Sequence, residues 1–462
     1  MTNADLTETF IEETLPTYSL SDQDISAIEK AIQEDHSKVI LETLDNLGVH
    51  DTAELISKTT TDVRTRLVGH HLKHIDPYVF TDLAPELRKE TLESLTPEQV
   101  ASILSALESD DALDMILNLD PLFQKDIIRQ LNAGTRLVLE EGLNFPEDSA
   151  GRLMQREFVA VPEFWTVGKT IDYLRAASDT LPIDFLDIFV IDPTYHVKGE
   201  IPLNRLIRSK RTEKIETLTL DDIHMIPATM DQEEVAHIFQ REDISSAPVI
   251  DDAGRLIGVI TVDDVIDVIH EEAQEDLLKL AGVQDSNLYT AVISSTISRF
   301  RWLFINLLTA ILASIVISFF DATIQELVAL AVLMPIVASM GGNAGTQAMT
   351  VAVRALATRE ISGANAYRII WKETLIGMLN GLAFAIIIGF LAGLWYHNPL
   401  LGGVIATAMI INLLIAGASG AGIPIILQRI GSDPAISSAV VLTTVTDVVG
   451  FFAFLGLAAL LL

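Results

Sequence analysis

The chain has 462 residues and no cysteine. Disulfide staples and thiolate metal sites are excluded, and soft metals lose their preferred ligand. Basic residues are scarce: 31 Lys and Arg stand against 63 Asp and Glu, a formal net charge of −32. The deficit is uneven. From Ser286 to Leu462 there are seven basic residues (Arg299, Arg301, Arg354, Arg359, Arg368, Lys372, Arg429) and six acidic ones (Asp321, Glu326, Glu360, Glu373, Asp433, Asp447), so that part is +1 and residues 1–285 carry −33. Nucleic acid selects basic surfaces and is excluded as a partner, whereas cations are favoured. His-Glu-x-x-His is absent from the apolar half, whose one histidine is His397, which argues against an intramembrane metalloprotease. Met1 to Glu13 lack the apolar core of a secretory signal, and the start of the chain is expected in the cytosol.

Residues 1–19 read as a flexible N-terminus and 20–151 as a helical domain on a twelve-residue repeat. Leu83, Leu95, Leu107, Leu119 and Leu131 share one phase, and Leu92, Leu104, Ile116 and Ile128 another. Turn or cap signals follow the first set: Ala84-Pro85-Glu86, Thr96-Pro97-Glu98, Glu108-Ser109-Asp110 and Asp120-Pro121. Proline in a first turn with Glu beside it starts a helix. One short helix per repeat, stacked on its neighbour, makes a small α-helical solenoid. It reads as a scaffold; the alternative is that its acidic edge supplies metal ligands.

Residues 152–272 alternate β-rich runs (Phe185 to Ile191, Ala247-Pro248-Val249-Ile250, Leu256 to Ile260) with helical stretches such as Gln232 to Gln240. The α/β unit occurs twice, over 152–215 and 216–272. With Pro248-Val249-Ile250-Asp251 and Gly254 in place, the second copy resembles a CBS domain, and the two together a tandem CBS pair. Thr261 and Asp264 match the Thr-x-x-Asp that holds adenosine ribose in nucleotide-binding members of that family. The resemblance implies ATP or another adenine nucleotide at the second copy; the alternative is a helix cap beside a solvated acid. The first copy has Pro202 and Arg205 instead, so at most one such site is expected.

From Val262 to Leu280 a helix is predicted. Asp264, Asp267, Glu271 and Glu275 fall within roughly a quarter of its circumference, flanked by Asp263 and Glu272. Val265, Ile266, Ile269, Ala273, Leu277 and Leu280 fill the opposite side. Like charges at i, i+4 disfavour a helix. The stripe is either a solvated face or a place where a divalent cation removes the repulsion.

Five apolar stretches follow, near Trp302–Phe320, Ile324–Val337 with a small-residue extension, Thr374–Tyr396, Leu400–Ile426 and Pro434–Leu462. Each is long enough, or nearly so, to cross a bilayer. When spans alternate, all seven basic residues fall on one side. The loops Asp321–Glu326 and His397-Asn398-Pro399 on the other side have no Lys or Arg. The positive-inside rule puts the basic side and the N-terminal region in the cytosol and the C-terminus outside, as for a multi-pass protein of the cell membrane. Five spans without an inverted repeat point to a homodimer with a shared path.

Asp447 lies about 20 Å along the last span, near mid-membrane, where an ionisable residue marks an ion path by default. Asp433, Ser437, Thr443 and Thr444 share its face, and hydroxyls between carboxylates suit the water shell of a cation. In the second span, Pro335 and Gly341-Gly342-Asn343-Ala344-Gly345 are expected to break or bend the helix, freeing carbonyls and Asn343 to line a cavity. The donors are all oxygens, which favours hard cations, and Mg²⁺, which keeps its waters, ranks first.

Pro335 with Gly342-Asn343-Ala344-Gly345-Thr346-Gln347, Gly431-Ser432-Asp433-Pro434-Ala435 and Thr444-Val445-Thr446-Asp447 resemble, in that order, the MgtE family of magnesium transporters. The resemblance covers nearly the whole chain. It implies a homodimeric magnesium channel closed by cytosolic Mg²⁺, with Asp447 as pore carboxylate and Asp433 at the cytosolic mouth. A plug helix over Ala273–Leu288, within a connecting segment 273–298, would lead into a transmembrane domain 299–462. Regulatory Mg²⁺ would be held by Asp231, Glu233, Asp243, Asp264, Asp267, Glu272, Glu275 and Asp276. The alternatives are transport of another divalent cation, Co²⁺ or Mn²⁺, or a nucleotide-gated pore; no enzymatic activity is expected.

Overall fold

A computed structural model describes residues 22–34, 36–178, 180–182, 184–283, 292–361 and 365–462. The expected flexible N-terminus, 1–19, lies outside the described residues, as do the side chains of 434–438, Ser437 among them. The chain divides into two compact units, Met1–Glu271 and Glu272–Leu462.

In the first unit, the helices Asp22–Gln33, Ser37–Leu44, Val49–Lys58 and Thr61–His71 precede five that start at 85, 97, 109, 121 and 133, each twelve residues after the last. Three of the five begin with proline. Thr96 and Gln99 form a reciprocal capping box, while Asp120 and Asn132 accept from Leu122 N and Thr135 N. These caps satisfy backbone donors that a helix start leaves open. The core follows the repeat: Leu83, Leu95, Leu119 and Leu131 are buried, Leu92, Leu104 and Ile116 wholly so, with Leu107 and Ile128 packed at its margin.

Two three-stranded sheets of one topology follow. β1 (Ala160–Pro162) runs parallel to β2 (Asp187–Ile191), which pairs antiparallel with β3 (Val197–Pro202). β4 (Ile226–Pro227), β5 (Ser246–Ile250) and β6 (Leu256–Thr261) repeat that order, down to a register shift at the same place, Val190/Ile191 and Val249/Ile250. Helices Val167–Ala176 and Gln232–Glu242 make the parallel crossovers. Phe189, Ile191, Val197, Leu256 and Val259 cluster across the two sheets. The repeat survives weak sequence likeness because the turn geometry is kept. Tyr195 (φ 68°) holds the left-handed position that Gly254 (φ 78°) holds in the second copy.

Val262–Leu280 is one helix. Its expected apolar side is only partly buried. Val265 and Val268 are in the core, whereas Ile266 is 58% and Leu277 68% exposed. The buried side runs through Val265 and Val268 and continues in partly buried Ile269, Glu272 and Asp276, and Ile266 lies 100° round from Val265. Residues 273–280, the described start of the expected plug helix, are the end of this helix; 284–288 lie outside the described residues.

The second unit holds five long apolar helices: Val292–Ser318, Ala329–Ala357, Ala366–Trp395, Pro399–Ile430 and Pro434–Leu461, each long enough to cross a membrane. They are the first to fifth spans below. The third and fourth are the most closely packed pair. Side chains at Gly377 or Gly417 would collide with the backbone of the facing helix, at Leu413 and Glu373, so their absence lets the two helices meet. The second span packs on the fourth and fifth, and the first span on the fifth. The expected break in the second span does not occur: Ala329–Ala357 is a continuous helix with Pro335 inside it. Its glycines are used for contact. Gly341 faces Asn412 and Gly345 faces Leu442, and packing holds a proline-containing membrane helix that would be unstable alone.

Candidate functional site

Carboxylates gather in the first unit where the third twelve-residue repeat begins. Helix Ser109–Leu117 has Glu108 at its N-cap, but Glu108 makes no capping hydrogen bond. The role falls to Glu157, which accepts from Ser109 N at 3.2 Å and Ser109 Oγ at 2.7 Å. Glu108, Asp110 and Asp111 each bring one carboxylate oxygen within 4.8 Å of the others. Against them stands the start of helix Val262–Leu280. Asp264, Asp267, His270 and Glu271 line a cavity of about 470 Å³ together with Asp82, Asp110, Asp111, Asp114, Asp148, Arg88 and Arg152. Eight carboxylates thus face two guanidinium groups. Arg88 is buried and bound to Asp114 at 2.6 Å, and Arg152 Nε donates to the Phe145 carbonyl.

The electrostatic cost is visible group by group. Burial pushes Glu108 up to about 7, and Asp111, Glu157 and Asp264 add to it. Burial and then Asp114 push Asp111 up to about 6, against the pull of Arg88. Burial pushes Asp264 up to about 6, although Thr261 donates to it. Asp110 is held well above the usual range by burial and by Asp264. Acids in a first helical turn are stabilised by the helix dipole, which accounts for Asp110 and Asp111 alone. It does not account for acids of a second helix packed against them. Asp110 Oδ1 is enclosed and has no hydrogen-bond donor among the described residues. Carboxylate oxygens, an orphaned acceptor and room for retained water fit a hard divalent cation such as Mg²⁺.

Of the residues expected to hold regulatory metal, Asp264 and Asp267 line this pocket. Asp231, Glu233 and Asp243 do not line it. Asp231 caps helix Gln232–Glu242, accepting from Glu233 N at 2.9 Å; Glu233 sits exposed in that first turn; and Asp243 ends the helix with φ 52°. Thr261 Oγ1 donates to Asp264 Oδ2 at 2.6 Å, so the proposed ribose-binding pair is closed on itself. Glu108, Asp110, Asp111 and Asp114 were not singled out as ligands from sequence. One cue was available: this repeat starts on Ser109 set between Glu108 and Asp110-Asp111, where those at 85, 97 and 121 start on proline.

In the second unit, Asp447 occupies the fourteenth position of the fifth span. It is partly buried and makes no ion pair or hydrogen bond with any described residue. One turn earlier, the Thr443 and Thr444 hydroxyls donate to carbonyls of their own helix, Ala439 O at 3.0 Å and Val440 O at 2.6 Å, which leaves oxygen lone pairs outward. Asn343 is exposed on the second span, with Nδ2 3.5 Å from Ser339 Oγ. Asp433 lies in the turn between the fourth and fifth spans. Lys279 Nζ reaches its Oδ2 at 3.0 Å and Glu275 Oε1 at 2.7 Å. Partial burial pulls the Lys279 ammonium down, but these two acceptors outweigh it and hold it above its usual value. Burial, then Asp433, raises Asp276. Leu280 packs beside Met349 and Val353 of the second span and Leu442 of the fifth. Glu272 stands partly buried at the start of this segment.

Three family models match the chain: a divalent cation transporter domain (MgtE) over residues 334–457, the MgtE intracellular N domain over 47–148, and a CBS domain over 215–271. The magnesium transporter MgtE of Thermus thermophilus is 32% identical over 94% of this chain and 98% of its own length. That of Bacillus subtilis is 29% identical over 90% and 92%. Among solved structures, the cytosolic domain of the Mg²⁺ channel MgtE in complex with ATP is 29% identical with a TM-score of 0.49, covering 53% of this chain and 99% of that one.

Proposed function

The chain belongs to the MgtE family of magnesium transporters, and from that premise we propose that it is a homodimeric channel of the cell membrane that admits Mg²⁺ past Asp447 and closes when cytosolic Mg²⁺ occupies the acidic pocket. One observation carries the transport half: a partly buried carboxylate, with no partner among the described residues, halfway along an apolar span. An ion held through its water shell is the counter-charge that such a group lacks. The Thr443 and Thr444 hydroxyls and Asn343 would contact that shell, and Asp433 would collect ions at the cytosolic end. The location of the basic residues at one set of span ends supports a cytosolic N-terminus. The test is Mg²⁺ uptake into vesicles containing Asp447→Ala protein. Uptake should fall to background while the protein stays folded and dimeric; undiminished uptake would remove Asp447 from the path.

Closure rests on the pocket and on one helix. Asp110, Asp111, Asp264 and Asp267 would hold regulatory Mg²⁺, with Glu108 beside them. Bound there, the ion supplies positive charge where eight carboxylates meet two arginines. Helix Val262–Leu280 carries Asp264 and Asp267 near its start and Lys279 near its end. Packing its start against helix Ser109–Leu117 would favour the arrangement in which Lys279 holds Asp433 and Leu280 sits between the second and fifth spans. The ion shifts that equilibrium only by its preference for the packed form. A nucleotide-gated pore is the weaker reading, because Thr261 and Asp264 bond to each other and Asp264 faces the pocket. Transport of Co²⁺ or Mn²⁺ uses the same oxygens, and competition flux separates it.

A further inference from the structure

We infer that Asn412 is a positioning residue for the ion path, fixing the second span against the fifth at the level of Asn343 and Asp447. It stands in the fourth span within Ile410-Ile411-Asn412-Leu413-Leu414, with none of its surface exposed. Nδ2 donates to the Val337 carbonyl of the second span at 2.8 Å. The amide fills the space left by two glycines. A Cβ at Gly341 would collide with it, and one at Gly450 of the fifth span would lie 2.8 Å from Nδ2 and 3.2 Å from Oδ1. One side chain on the fourth span therefore touches both of the spans that carry the proposed path. Gly341 is two residues from Asn343 and Gly450 three from Asp447, about 3 Å and 4.5 Å along their helices.

Stability alone does not explain an asparagine here. Oδ1 is buried with no donor among the described residues, and a half-satisfied buried amide is worse than an apolar side chain of the same branching. What the amide gives in return is a directional bond to one backbone carbonyl, which apolar packing cannot supply. Mg²⁺ demands a tight six-oxygen shell, whereas larger divalent ions accept looser ones. A fixed spacing between the second and fifth spans is therefore a condition for preferring Mg²⁺.

The inference rests on the pore reading above, and the test separates the two. Full-length Asn412→Leu and Asn412→Ser proteins, reconstituted in vesicles, are compared with wild type for uptake of Mg²⁺ and Mn²⁺. Asp447→Asn is run alongside. A positioning role predicts that the Mg²⁺ to Mn²⁺ uptake ratio falls several-fold in both Asn412 variants, with thermal stability of the leucine variant equal to or above wild type. An unchanged ratio, or equal loss of both ions with lowered stability, would overturn it and reduce Asn412 to packing. Should Asn412→Leu not fold, the serine variant decides by the same ratio. Retained flux in Asp447→Asn would instead count against the pore reading, whatever the Asn412 variants do.

Discussion

In the pocket between helices Ser109–Leu117 and Val262–Leu280, eight carboxylates share about 470 Å³; in the 28 residues of the fifth span, Asp447 is the one ionisable side chain. The two regions offer the same ligand atoms and differ in number and crowding. Many carboxylates held close make a site that gains much from a cation and retains it. A lone carboxylate with hydroxyl neighbours attracts an ion weakly enough to release it, as conduction requires. On the proposed reading, that difference separates sensing from passage within one chain.

That separation can be broken from the pocket side, where the largest effect is expected. Asp110→Asn with Asp264→Asn removes two crowded charges. The full chain should then gain little resistance to limited proteolysis over residues 1–271 when Mg²⁺ is added, and Mg²⁺ uptake should persist at cytosolic Mg²⁺ that silences wild type. Wild-type Mg²⁺ protection in this variant would place the sensor elsewhere.

Lys279→Gln sharpens the comparison at the pore mouth. Losing the ammonium that reaches Asp433 at 3.0 Å should raise uptake at low cytosolic Mg²⁺ by a few-fold, since closure would then depend on metal alone. Unchanged uptake would make the contact incidental.

A smaller effect is expected from pH. Glu108 at about 7 and Asp111 and Asp264 at about 6 lie above their ordinary values. Between about pH 4 and 7 the folded pocket thus binds more protons than the unfolded chain, and its stability falls as pH rises through that window. Asp114, Asp263 and Asp267 raise Asp111 further, and Arg88 opposes them. Protection of residues 1–271 by Mg²⁺ should accordingly be larger at about pH 7.5 than at about pH 5.5, read by hydrogen exchange on the full chain. Equal protection at both values would mean that the ion does not replace these protons. The smallest effect should come from Thr261→Val. If Thr261 serves Asp264 more than a nucleotide, Mg²⁺ closure should shift slightly and ATP titration should not distinguish the variant from wild type.

What could be read from the residues depended on whether a pattern repeated. The twelve-residue phase of Leu83, Leu95, Leu119 and Leu131 repeats, and the helices start at that interval. The spans are long enough to declare themselves by hydropathy. The pocket was half legible: Asp264 and Asp267 stood out as a stripe, but Glu108, Asp110 and Asp111 look like ordinary first-turn acids until a second helix is packed on them. The glycines of the second span misled for a related reason. A missing side chain reads as a weak point in a single helix and becomes a contact surface once Asn412 and Leu442 fill it. Asn412 itself left no pattern, being one amide in an apolar run.

The most direct test of the division of labour is Mg²⁺ uptake into vesicles containing the full-length protein while Mg²⁺ on the cytosolic face is raised stepwise. Uptake should fall cooperatively for wild type and stay high for the Asp110→Asn, Asp264→Asn variant. Uptake that ignores the cytosolic ion in wild type, or that falls equally in both, would contradict the account.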